Sequence, residues 1–600
     1  MASQYFSLQN LRFLLHEVFR VSELSKITRF EDYEADAIDL VLDAAKQIGD
    51  QYLYPIHREM DKNKAYFEDG QVHTLPGLNK AIQAIAEGGW INAHLDGADG
   101  GQQMPLTVMN AGLFIFYAAN SNAAPYAFLT QGAANLIHQF GSAPLKDVYL
   151  DKMYSGTWQG TMALTEPQAG SSLSDLTSTA QPGPDGDYLI QGQKIYISGG
   201  DYSGVENIVH LTLARIEGAP AGTHGISLFV VPKFLVKEGR LVSNNVTTAG
   251  IYGKMGQRGY TAAHLMLGEQ GPCKGYLVGA PNKGLSYMFN LMNEARIGTG
   301  NLATGTASAA FYASLQYANE RPQGRHPGQK DPTSPQEIII EHADVRRMLL
   351  FQKSVVEGSL ALVIQASLWA DLAENSSGEE AENAHLLLEL ITPIVKSYPS
   401  EQGNYAVSAG MQVLGGAGYT DDFPLEQYYR DIRVNSIYEG TTTIHGMDLL
   451  GRKLMVEKGK ALKLFMGLVQ QEIQAAETND ALSAICQQLA SGAKGLHQTT
   501  MSLMKLASEK GPQYFLADAT LYLEAFSIVT IGWLWLKQLR VAETVLAQGQ
   551  LSEADLDFYR GKKLCGEYFF AYDFLKIQPL LQRLSNQDGL TVDMESSWIN

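Results

Sequence analysis

The sequence has few cysteines and too few basic residues to balance its acidic ones. Only Cys273, Cys486 and Cys565 occur among the 600 residues, and none lies in a C-x-x-C pair. An odd, widely spaced set supports neither a disulfide framework nor a cysteine zinc site, so we expect no metal centre and a reducing compartment. The formal charge is -18, with 63 acidic and 45 basic residues. Such a chain is a poor nonspecific binder of nucleic acid or anionic membrane, and we expect no nucleic-acid partner.

Signals for export, membrane insertion and phosphate loops are also lacking. The N-terminus has no basic region followed by an apolar run, which predicts no signal peptide and a cytoplasmic location. The longest apolar run, Ala525–Leu536, is shorter than the ~20 residues of a membrane span and predicts a buried helix, so we expect no integral membrane association. Gly298-Thr-Gly300 follows no strand, and the chain contains no G-x-x-x-x-G-K-[ST] motif. Both usual dinucleotide and phosphate-loop signatures are therefore excluded.

The hydrophobic pattern changes period twice along the chain, which predicts an α+β fold. Apolar residues follow a helical period after Tyr33, short β-branched and aromatic runs begin near Trp158, and the helical period returns after Gly284. Because no helices alternate with the β runs, we expect an antiparallel β domain and not a parallel nucleotide-binding sheet. The expected order is an N-terminal extension (1–31), an N-terminal helical domain (32–159), a middle β domain (160–285), a helical bundle (286–457) and an extra C-terminal helical domain (458–600).

Three helix boundaries in the second helical region follow from its proline and capping signals. Ser334-Pro335 predicts the start of a helix that reaches Glu374, because proline suits the first helical position. Separate helices are predicted at Glu382–Ser397 and Glu401–Leu414. Within the N-terminal extension, Phe13–Phe19 predicts a short amphipathic helix that docks on the body of the protein or on a partner subunit.

The stretch Ile437–Ile444 holds a single carboxylate, Glu439, between an apolar-aromatic pair and a glycine. Ile437 and Tyr438 are expected to desolvate Glu439, which raises a carboxyl pKa and suits it to accept a proton. The N-terminus of the following helix, predicted at Ile444–Val456 with Thr441–Thr443 as caps, favours the charged form instead. A plain capping glutamate remains the alternative to a catalytic base.

Three further stretches have the composition of a ligand site. Met162–Asp175 supplies hydroxyl groups and small residues that let a backbone approach a flat ligand or a phosphate. Tyr196 and Ser198 alternate on a predicted strand and so face the same side. Gln412–Tyr419 carries three glycines after a helix, which is typical of a loop that meets a phosphate or a neighbouring subunit. The first two stretches alone also have an ordinary structural explanation: a polar turn for Met162–Asp175 and cross-strand packing for Tyr196 and Ser198.

Taken in order, these stretches resemble the flavin-dependent acyl-CoA dehydrogenase family. They read Thr-Glu-Pro-x-Ala-Gly-Ser, Gly-Gln-Lys-x-x-Ile-Ser, Gln-x-x-Gly-Gly-x-Gly-Tyr and Ile-Tyr-Glu-Gly-Thr. The resemblance covers residues 32–457, and the N-terminal extension and extra C-terminal domain resemble a longer bacterial subgroup. That subgroup includes 3-methylmercaptopropionyl-CoA dehydrogenases and broad-range fatty acyl-CoA dehydrogenases. The resemblance implies a helical, β, helical order, FAD as cofactor and a role in fatty acid oxidation.

The resemblance also implies a role for each matching residue. Glu439 falls on the base that removes the α-proton of an acyl-CoA while the β-hydride passes to the flavin, and its backbone N–H would contact the thioester carbonyl. Some relatives carry the base immediately before an arginine that matches Arg296, but here that position is Ala295, and Glu294 is one residue away. The implied FAD contacts are Met162, Leu164, Thr165, Ser171, Tyr196, Ser198, Arg321, Gln323, Gln412, Gly415, Gly416, Thr441 and Thr443, and the implied substrate contacts are Ser171, Arg296, Tyr438 and Gly440.

Arg321 and Gln412 match positions that reach the FAD of a neighbouring subunit, which implies a homodimer or a dimer of dimers. The implied electron acceptor is an electron-transfer flavoprotein. This sequence departs from the family pattern at Ser172, where aspartate is common, and at Thr443 and His445, where glutamine or glycine and then glutamine are usual. Two alternatives remain: an acyl-CoA oxidase that reduces oxygen, and a non-catalytic assembly protein on the same scaffold.

Overall fold

The computed structural model describes residues 4–290 and 292–600 and divides into two compact units. The sheet unit comprises Leu40–Met104 and Gly112–Ala295, and the helical unit comprises the chain up to Asp39, Pro105–Ala111 and Arg296–Asn600. The predicted α+β class, with a β region between helical regions, is confirmed.

The described part of the sheet unit contains twelve strands, and eight of them form one sheet. The strands are β1 (Tyr66–Glu68), β2 (Gln71–His73), β3 (Trp158–Ala163), β4 (Thr179–Pro182), β5 (Tyr188–Ser198), β6 (Asn207–Ile216), β7 (Ile226–Pro232), β8 (Phe234–Lys237), β9 (Arg240–Ser243), β10 (Val246–Ile251), β11 (Ala262–Leu267) and β12 (Lys274–Leu277). The sheet runs β10-β11-β5-β12-β7-β6-β3, with β4 between β5 and β6, while β1-β2 and β8-β9 form separate hairpins.

Most pairings in this sheet are antiparallel, as predicted, but two are parallel. Strand β3 pairs with β6 in parallel register from Trp158 opposite Asn207 to Ala163 opposite Thr212, and β4 also runs parallel to β6. A parallel pair needs a long crossover, which is usually a helix. Here β4 and β5 lie within that crossover, so the absence of alternating helices in the sequence did not reveal the parallel pairs.

The centre of the sheet is covered on both faces. All residues of β7 and the first eight of β6 are buried. Val209 and Leu211 pack with Ile137 and other residues of the helices that precede β3, whereas Phe229 and Val231 pack with Ile190 on the opposite face. A strand that is buried on both sides reads as a continuous apolar run.

The α-helices among the described residues are α1 (Leu8–Arg12), α2 (Ala35–Ile48), α3 (His57–Lys62), α4 (Gly77–Glu87), α5 (Leu106–Ala119), α6 (Ala124–Phe140), α7 (Ala143–Tyr154), α8 (Gly284–Asn290), α9 (Met292–Glu320), α10 (Ala343–Asn375), α11 (Gly378–Leu414), α12 (Leu425–Ile432), α13 (Thr442–Gly451), α14 (Lys460–Ala476), α15 (Ser483–Lys510), α16 (Pro512–Leu516), α17 (Ala519–Gln548), α18 (Glu553–Tyr568) and α19 (Ile577–Asn586). The predicted buried helix at Ala525–Leu536 lies within α17, where every residue of that run is buried. Among the described residues, α10 and α17 are long and apolar enough to cross a bilayer, but most of each apolar segment is buried inside the protein, as in the core helices of globular proteins.

Helix α10 begins eight residues after the predicted start. Ser334-Pro335 lies in non-helical chain, and Ile338 instead forms a β-bridge with Pro322 before the helix begins at Ala343. The prediction from Ser334-Pro335 was therefore wrong. The extended pairing of this segment outweighs its local helix-start signal.

The two helices predicted around Pro399 are one continuous helix, α11, with Pro393 and Pro399 in its interior. Proline lacks an N–H, so Pro399 leaves the carbonyl of Val395 without its usual helical donor. Gly300 of α9 packs against that carbonyl so closely that an added Cβ would lie 2.0 Å from it. The prediction of a break was wrong because tertiary packing on α9 maintains the helix through the proline.

The N-terminal segment docks on the C-terminal helices of the helical unit. Phe13, at the start of a π-helical turn that ends at Val18, makes an edge-on ring contact with Phe558 at 5.6 Å between centroids. The Lys562 ammonium lies 4.8 Å from the centre of the Phe13 ring, and Tyr559 donates a hydrogen bond to Glu17. Of the two predicted docking partners, the protein's own body is therefore the one observed.

Candidate functional site

The sheet unit presents Tyr196 through a β-bulge in β5. Lys194 pairs with Leu265 and Ile197 with Ala263, so two residues of β5 lie opposite the single residue between them on β11. Tyr196 adopts a left-handed backbone, with φ of 57°, and its side chain is 58% exposed while Ile195 and Ile197 are buried. A bulge re-aims the side chain it carries. Tyr196 and Ser198 remain more exposed than their strand neighbours, and the Tyr196 ring lies 4.3 Å from that of Tyr252.

A buried ion pair supports the chain that leads from β3 towards β4. Lys194 and Glu166 are both fully buried, with Nζ 2.7 Å from Oε1, and Lys194 also donates to the carbonyl of Leu164 at 3.1 Å. The Glu166 carboxylate further accepts hydrogen bonds from Gln168, from Thr177 through both N–H and hydroxyl, and from the N–H of Ser178. Burial alone would raise the pKa of Glu166, but Lys194 and these donors lower it to about 2. The sequence contained this pair in its motifs, but its role as the support of the loop was not predicted.

The loop above this pair is polar and partly open. Thr165 is half-buried, Ser171 is exposed, and the space beside Gly170 is open up to the Thr165 methyl group. Ser172 donates to Asp175 at 3.0 Å, so the serine at this departure from the family pattern stays within the turn's own hydrogen-bond network. Met162 and Leu164 are half-buried beside the apolar cluster of the sheet.

These residues fit a flat, partly polar cofactor such as FAD. An exposed tyrosine ring, half-buried Met162 and Leu164, and the Thr165 hydroxyl provide an apolar surface with polar edges. The left-handed backbone at Tyr196 costs about 1 kcal/mol or more, and such strain usually persists where the site needs it. Binding sites for cofactors have this combination of apolar lining and a few placed polar groups.

The helical unit carries Glu439 in the turn between a 3-10 helix ending at Ser436 and α13. Both residues of the turn centre have positive φ, 55° at Glu439 and 90° at Gly440. The Glu439 carboxylate and its backbone N–H make no hydrogen bond or ion pair with any residue that the structure describes. The carboxylate is therefore available to a ligand, which is the opposite of what a capping glutamate would show.

The pKa of Glu439 is raised, as predicted. Ile437 is 52% exposed and cannot cover the carboxylate, so that part of the prediction was wrong. Surrounding protein desolvates the carboxyl group and raises its pKa, while Lys396 and Arg296 oppose the rise. Glu439 is nevertheless exposed to solvent in the single chain, so water screening keeps the rise in its pKa small.

Two residues outside the predicted contacts hold the backbone of this turn. Buried Lys396 of α11 donates to the carbonyl of Gly440 at 2.7 Å, and buried His445 of α13 contacts the carbonyl of Glu439 through Nε2 at 3.0 Å. Lys396 is a charged residue inside the apolar run Leu390–Tyr398, which is the signal by which it could have been found. His445 was noted only as a departure from the family pattern.

Arg296 is buried and donates a hydrogen bond to Asp448 at 2.9 Å. The same carboxylate also pairs with Arg452, which lies four residues after Asp448. Burial would raise the pKa of Asp448, but these arginines lower it. Thr441 is the residue before α13 but makes no side-chain capping bond, so the predicted threonine cap is not formed by Thr441. Helix α13 starts at Thr442 and ends at Gly451, earlier at both ends than predicted.

The remaining predicted contacts lie on the surface of the helical unit. These residues, exposed in the single chain, are Arg321, Gln323, Gln412, Gly415, Gly416 and Thr443, and Tyr438 is half-buried. Gln323 is fixed by a backbone bond from its N–H to the carbonyl of Glu337. Gly415 has φ of 60° and open space where a Cβ would lie.

Comparison with known proteins identifies the family. Family models match at residues 36–157 (acyl-CoA dehydrogenase, N-terminal domain), 161–269 (middle domain), 282–454 (C-terminal domain) and 465–595 (acetyl-CoA dehydrogenase C-terminal like). The chain is 33% identical to 3-methylmercaptopropionyl-CoA dehydrogenase of Ruegeria pomeroyi, and the match covers 94% of both chains. It is also 33% identical, over 94% of both chains, to the broad-specificity linear acyl-CoA dehydrogenase FadE5 of Mycobacterium tuberculosis.

A solved structure agrees at the level of the fold. The acyl-CoA dehydrogenase of Bacillus anthracis, complexed with FAD, superposes with a TM-score of 0.72 at 19% identity, covering 94% of this chain and 90% of the other. The family model at residues 465–595 and the two relatives matched over 94% of the chain confirm the resemblance to the longer subgroup with an extra C-terminal domain. From its four matched domains and its relatives over nearly the whole length, the chain belongs to the acyl-CoA dehydrogenase family of flavin-dependent oxidoreductases.

Proposed function

We propose that this protein dehydrogenates an acyl-CoA thioester to the trans-2-enoyl-CoA, with Glu439 as the base that removes the α-proton. The observation that carries the proposal is the Glu439 carboxylate, which has a raised pKa and no hydrogen-bond partner among the described residues. A general base is most effective when its pKa lies closer to the working pH and its oxygen is free to take the proton.

The turn offers a second contribution to the same reaction. The N–H of Glu439 has no acceptor among the described residues, so it is available to the thioester carbonyl. A hydrogen bond there stabilises the negative charge that develops on that oxygen as the α-proton leaves. Gly440 adds no side chain, which leaves room for the substrate beside the base.

The cofactor is FAD, which accepts the β-hydride when it is bound. In the sheet unit Met162, Leu164, Thr165, Ser171, Tyr196 and Ser198 would hold it. The Glu166–Lys194 pair fixes the chain on which Leu164 and Thr165 lie. In the helical unit the proposed contacts are Thr441 and Thr443 and, from a partner subunit, Arg321, Gln323, Gln412, Gly415 and Gly416.

The substrate class rests on the relatives. The Ruegeria pomeroyi relative is named for a short thioether acyl group and the Mycobacterium tuberculosis relative for linear acyl chains. We propose a saturated acyl-CoA with an unbranched α- and β-carbon, with Arg296, Tyr438 and Gly440 nearest the thioester. The proposed electron acceptor is an electron-transfer flavoprotein, the proposed assembly a homodimer or dimer of dimers, and the proposed location the cytoplasm.

The test is a panel of acyl-CoA thioesters of varied length, assayed with an electron-accepting dye on the wild type and on Glu439→Gln. We expect the amide to lower kcat by about 10²–10⁴-fold, since it cannot accept the proton. Glu23→Gln, an exposed glutamate beside Lys26, is the matched control and should leave kcat unchanged. Substantial turnover by Glu439→Gln at saturating substrate would refute the assignment of the base.

The same assay separates the oxidase alternative. Hydrogen peroxide released at the full turnover rate without added acceptor would identify an oxidase. A protein that cannot be loaded with FAD and lacks activity towards every thioester would instead favour the assembly protein.

A further inference from the structure

The turn that carries Glu439 is held through two consecutive backbone carbonyls. Lys396 binds the carbonyl of Gly440, and His445 binds that of Glu439. A carbonyl oxygen only accepts, so the His445 Nε2 must carry a proton to bond there. Burial and the neighbouring cations Arg296 and Lys396 lower the pKa of His445 to about 3, so His445 is neutral and Nδ1 is the bare nitrogen.

This turn needs such support because its backbone is in an unfavourable conformation. A left-handed residue other than glycine costs about 1–2 kcal/mol, and Glu439 has φ of 55°. Strained residues persist when surrounding contacts over-determine them. Here the two donors fix the peptide groups on the C-terminal side of Glu439 and so set the direction of its side chain.

Lys396 differs from the other buried lysines of the helical unit. Lys453 and Lys562 are each paired with a buried or half-buried carboxylate, Glu389 and Glu357 respectively. Lys396 is fully buried, yet no carboxylate lies within ion-pair distance among the described residues. An unpaired buried ammonium is costly, and burial lowers the pKa of Lys396 to about 8. A cost of this kind is typical of a functional position.

We propose, on the basis of the proposed function, that Lys396 and His445 are positioning residues that clamp the Glu439–Gly440 backbone and aim the base at the substrate. Lys396 has a second effect, because its charge favours the carboxylate form of Glu439 without bonding to it. The base therefore keeps a free oxygen and still ionises. The charged groups that act on this site are Lys396, Arg296, Glu401 and Asp448, with His445 neutral.

The experiment compares Lys396→Met with Lys396→Arg, each assayed per bound flavin across pH. We expect Lys396→Met to lower kcat by about 10-fold or more with KM changed less than about 3-fold, because aim and not binding is lost. The acidic limb of the pH profile of kcat/KM for Lys396→Met should move to higher pH by about half a unit or more, because the variant lacks the cation that favours the charged form of Glu439. Lys396→Arg, which keeps charge and donor, should recover part of kcat and return the limb towards the wild-type position.

Lys562→Met is the matched control, because it also removes a buried ammonium of the helical unit but one that is bonded to Glu357 and Gln538. It should destabilise the protein without moving the limb. If Lys396→Met behaves like Lys562→Met in kcat and in the limb, the proposal is overturned.

A second pair keeps the test decisive should Lys396→Met fail to fold. His445→Gln retains a side-chain N–H donor and should keep kcat within about 3-fold, whereas His445→Ala should lose about 10-fold. Equal activity of His445→Ala and wild type overturns the clamp. Failure of the clamp is distinct from failure of the proposed function: in the former Glu439→Gln is inactive and the clamp variants are normal, and in the latter Glu439→Gln is active.

Discussion

Glu166 and Glu439 have the same side chain but differ in their hydrogen-bond donors and in the direction of their pKa shift. The Glu166 carboxylate in the sheet unit accepts from an ammonium, two backbone N–H groups, a hydroxyl and an amide, and its pKa is about 2. The Glu439 carboxylate in the helical unit accepts from none of the described residues, and its pKa is raised. The number of donors, and not the residue type or the sequence motif, separates a glutamate that supports a loop from one that can take a proton.

The largest loss of stability is expected when the buried Glu166 carboxylate loses its cation, Lys194. Lys194→Met should lower the free energy of unfolding of the sheet unit by about 3–5 kcal/mol, because it leaves Glu166 charged and buried without its cation. Urea unfolding measures the loss. Lys46→Met, which removes an exposed pair with Asp50, is the matched control and should cost about 0–1 kcal/mol. Equal losses for the two variants would contradict the role of the pair.

The supported carboxylate should also make stability depend on pH. The folded pKa of Glu166, about 2, lies below its ordinary value of 4.5. Its contribution is therefore fully present above pH ~4.5 and is lost as pH falls towards 2, with a total on the order of 3 kcal/mol. The difference in unfolding free energy between wild type and Glu166→Gln should narrow over this range. A difference that stays constant from pH 5 to pH 2.5 would show that the charge of Glu166 is not responsible.

The smallest change in protein stability is expected when Glu439, whose carboxylate has no donor among the described residues, is substituted. Glu439→Gln should change the free energy of unfolding by less than about 0.5 kcal/mol, because it removes no bond within the chain. Thermal unfolding of Glu439→Gln and Glu166→Gln at neutral pH makes the comparison direct. Should Glu439→Gln lose as much stability as Glu166→Gln, the carboxylate of Glu439 would have structural partners.

The sequence was sufficient for the features that repeat or that lie in one stretch. Periodicity located the β region, the length of one apolar run predicted the buried helix in α17, and the ordered motifs indicated the family. The parallel pairing of β3 with β6 was not predictable from these patterns, since it joins segments about 50 residues apart. The extended segment at Ile338 and the uninterrupted helix through Pro399 likewise depend on tertiary contacts that override local signals.

The residues proposed for the candidate site come from the sequence motifs and stay a prediction, whereas the electrostatics around Glu439 could not be predicted from those motifs. The motif around Glu439, with Gly440 after it, was enough to identify Glu439 as a candidate base. The balance of effects on its pKa was not predictable, because Ile437 turns outward and the two cations that oppose the rise, Lys396 and Arg296, come from other helices. Lys396 lies 44 residues from the carbonyl that it binds. Only the spatial arrangement shows which carboxylate has donors and which has none.

Helices α9 and α11 pack closely where Gly300 meets the carbonyl of Val395. Gly300 has no side chain to keep them apart, and Pro399 has no N–H to bond that carbonyl. Arg296 lies one turn before that glycine, and Lys396 follows that carbonyl directly. Because the helices pack this closely, Arg296 from α9 and Lys396 from α11 can both act on the Glu439 carboxylate. In a saturation library, position 300 should return glycine alone, and a methyl group introduced there would act on catalysis by separating the charges rather than by touching the substrate.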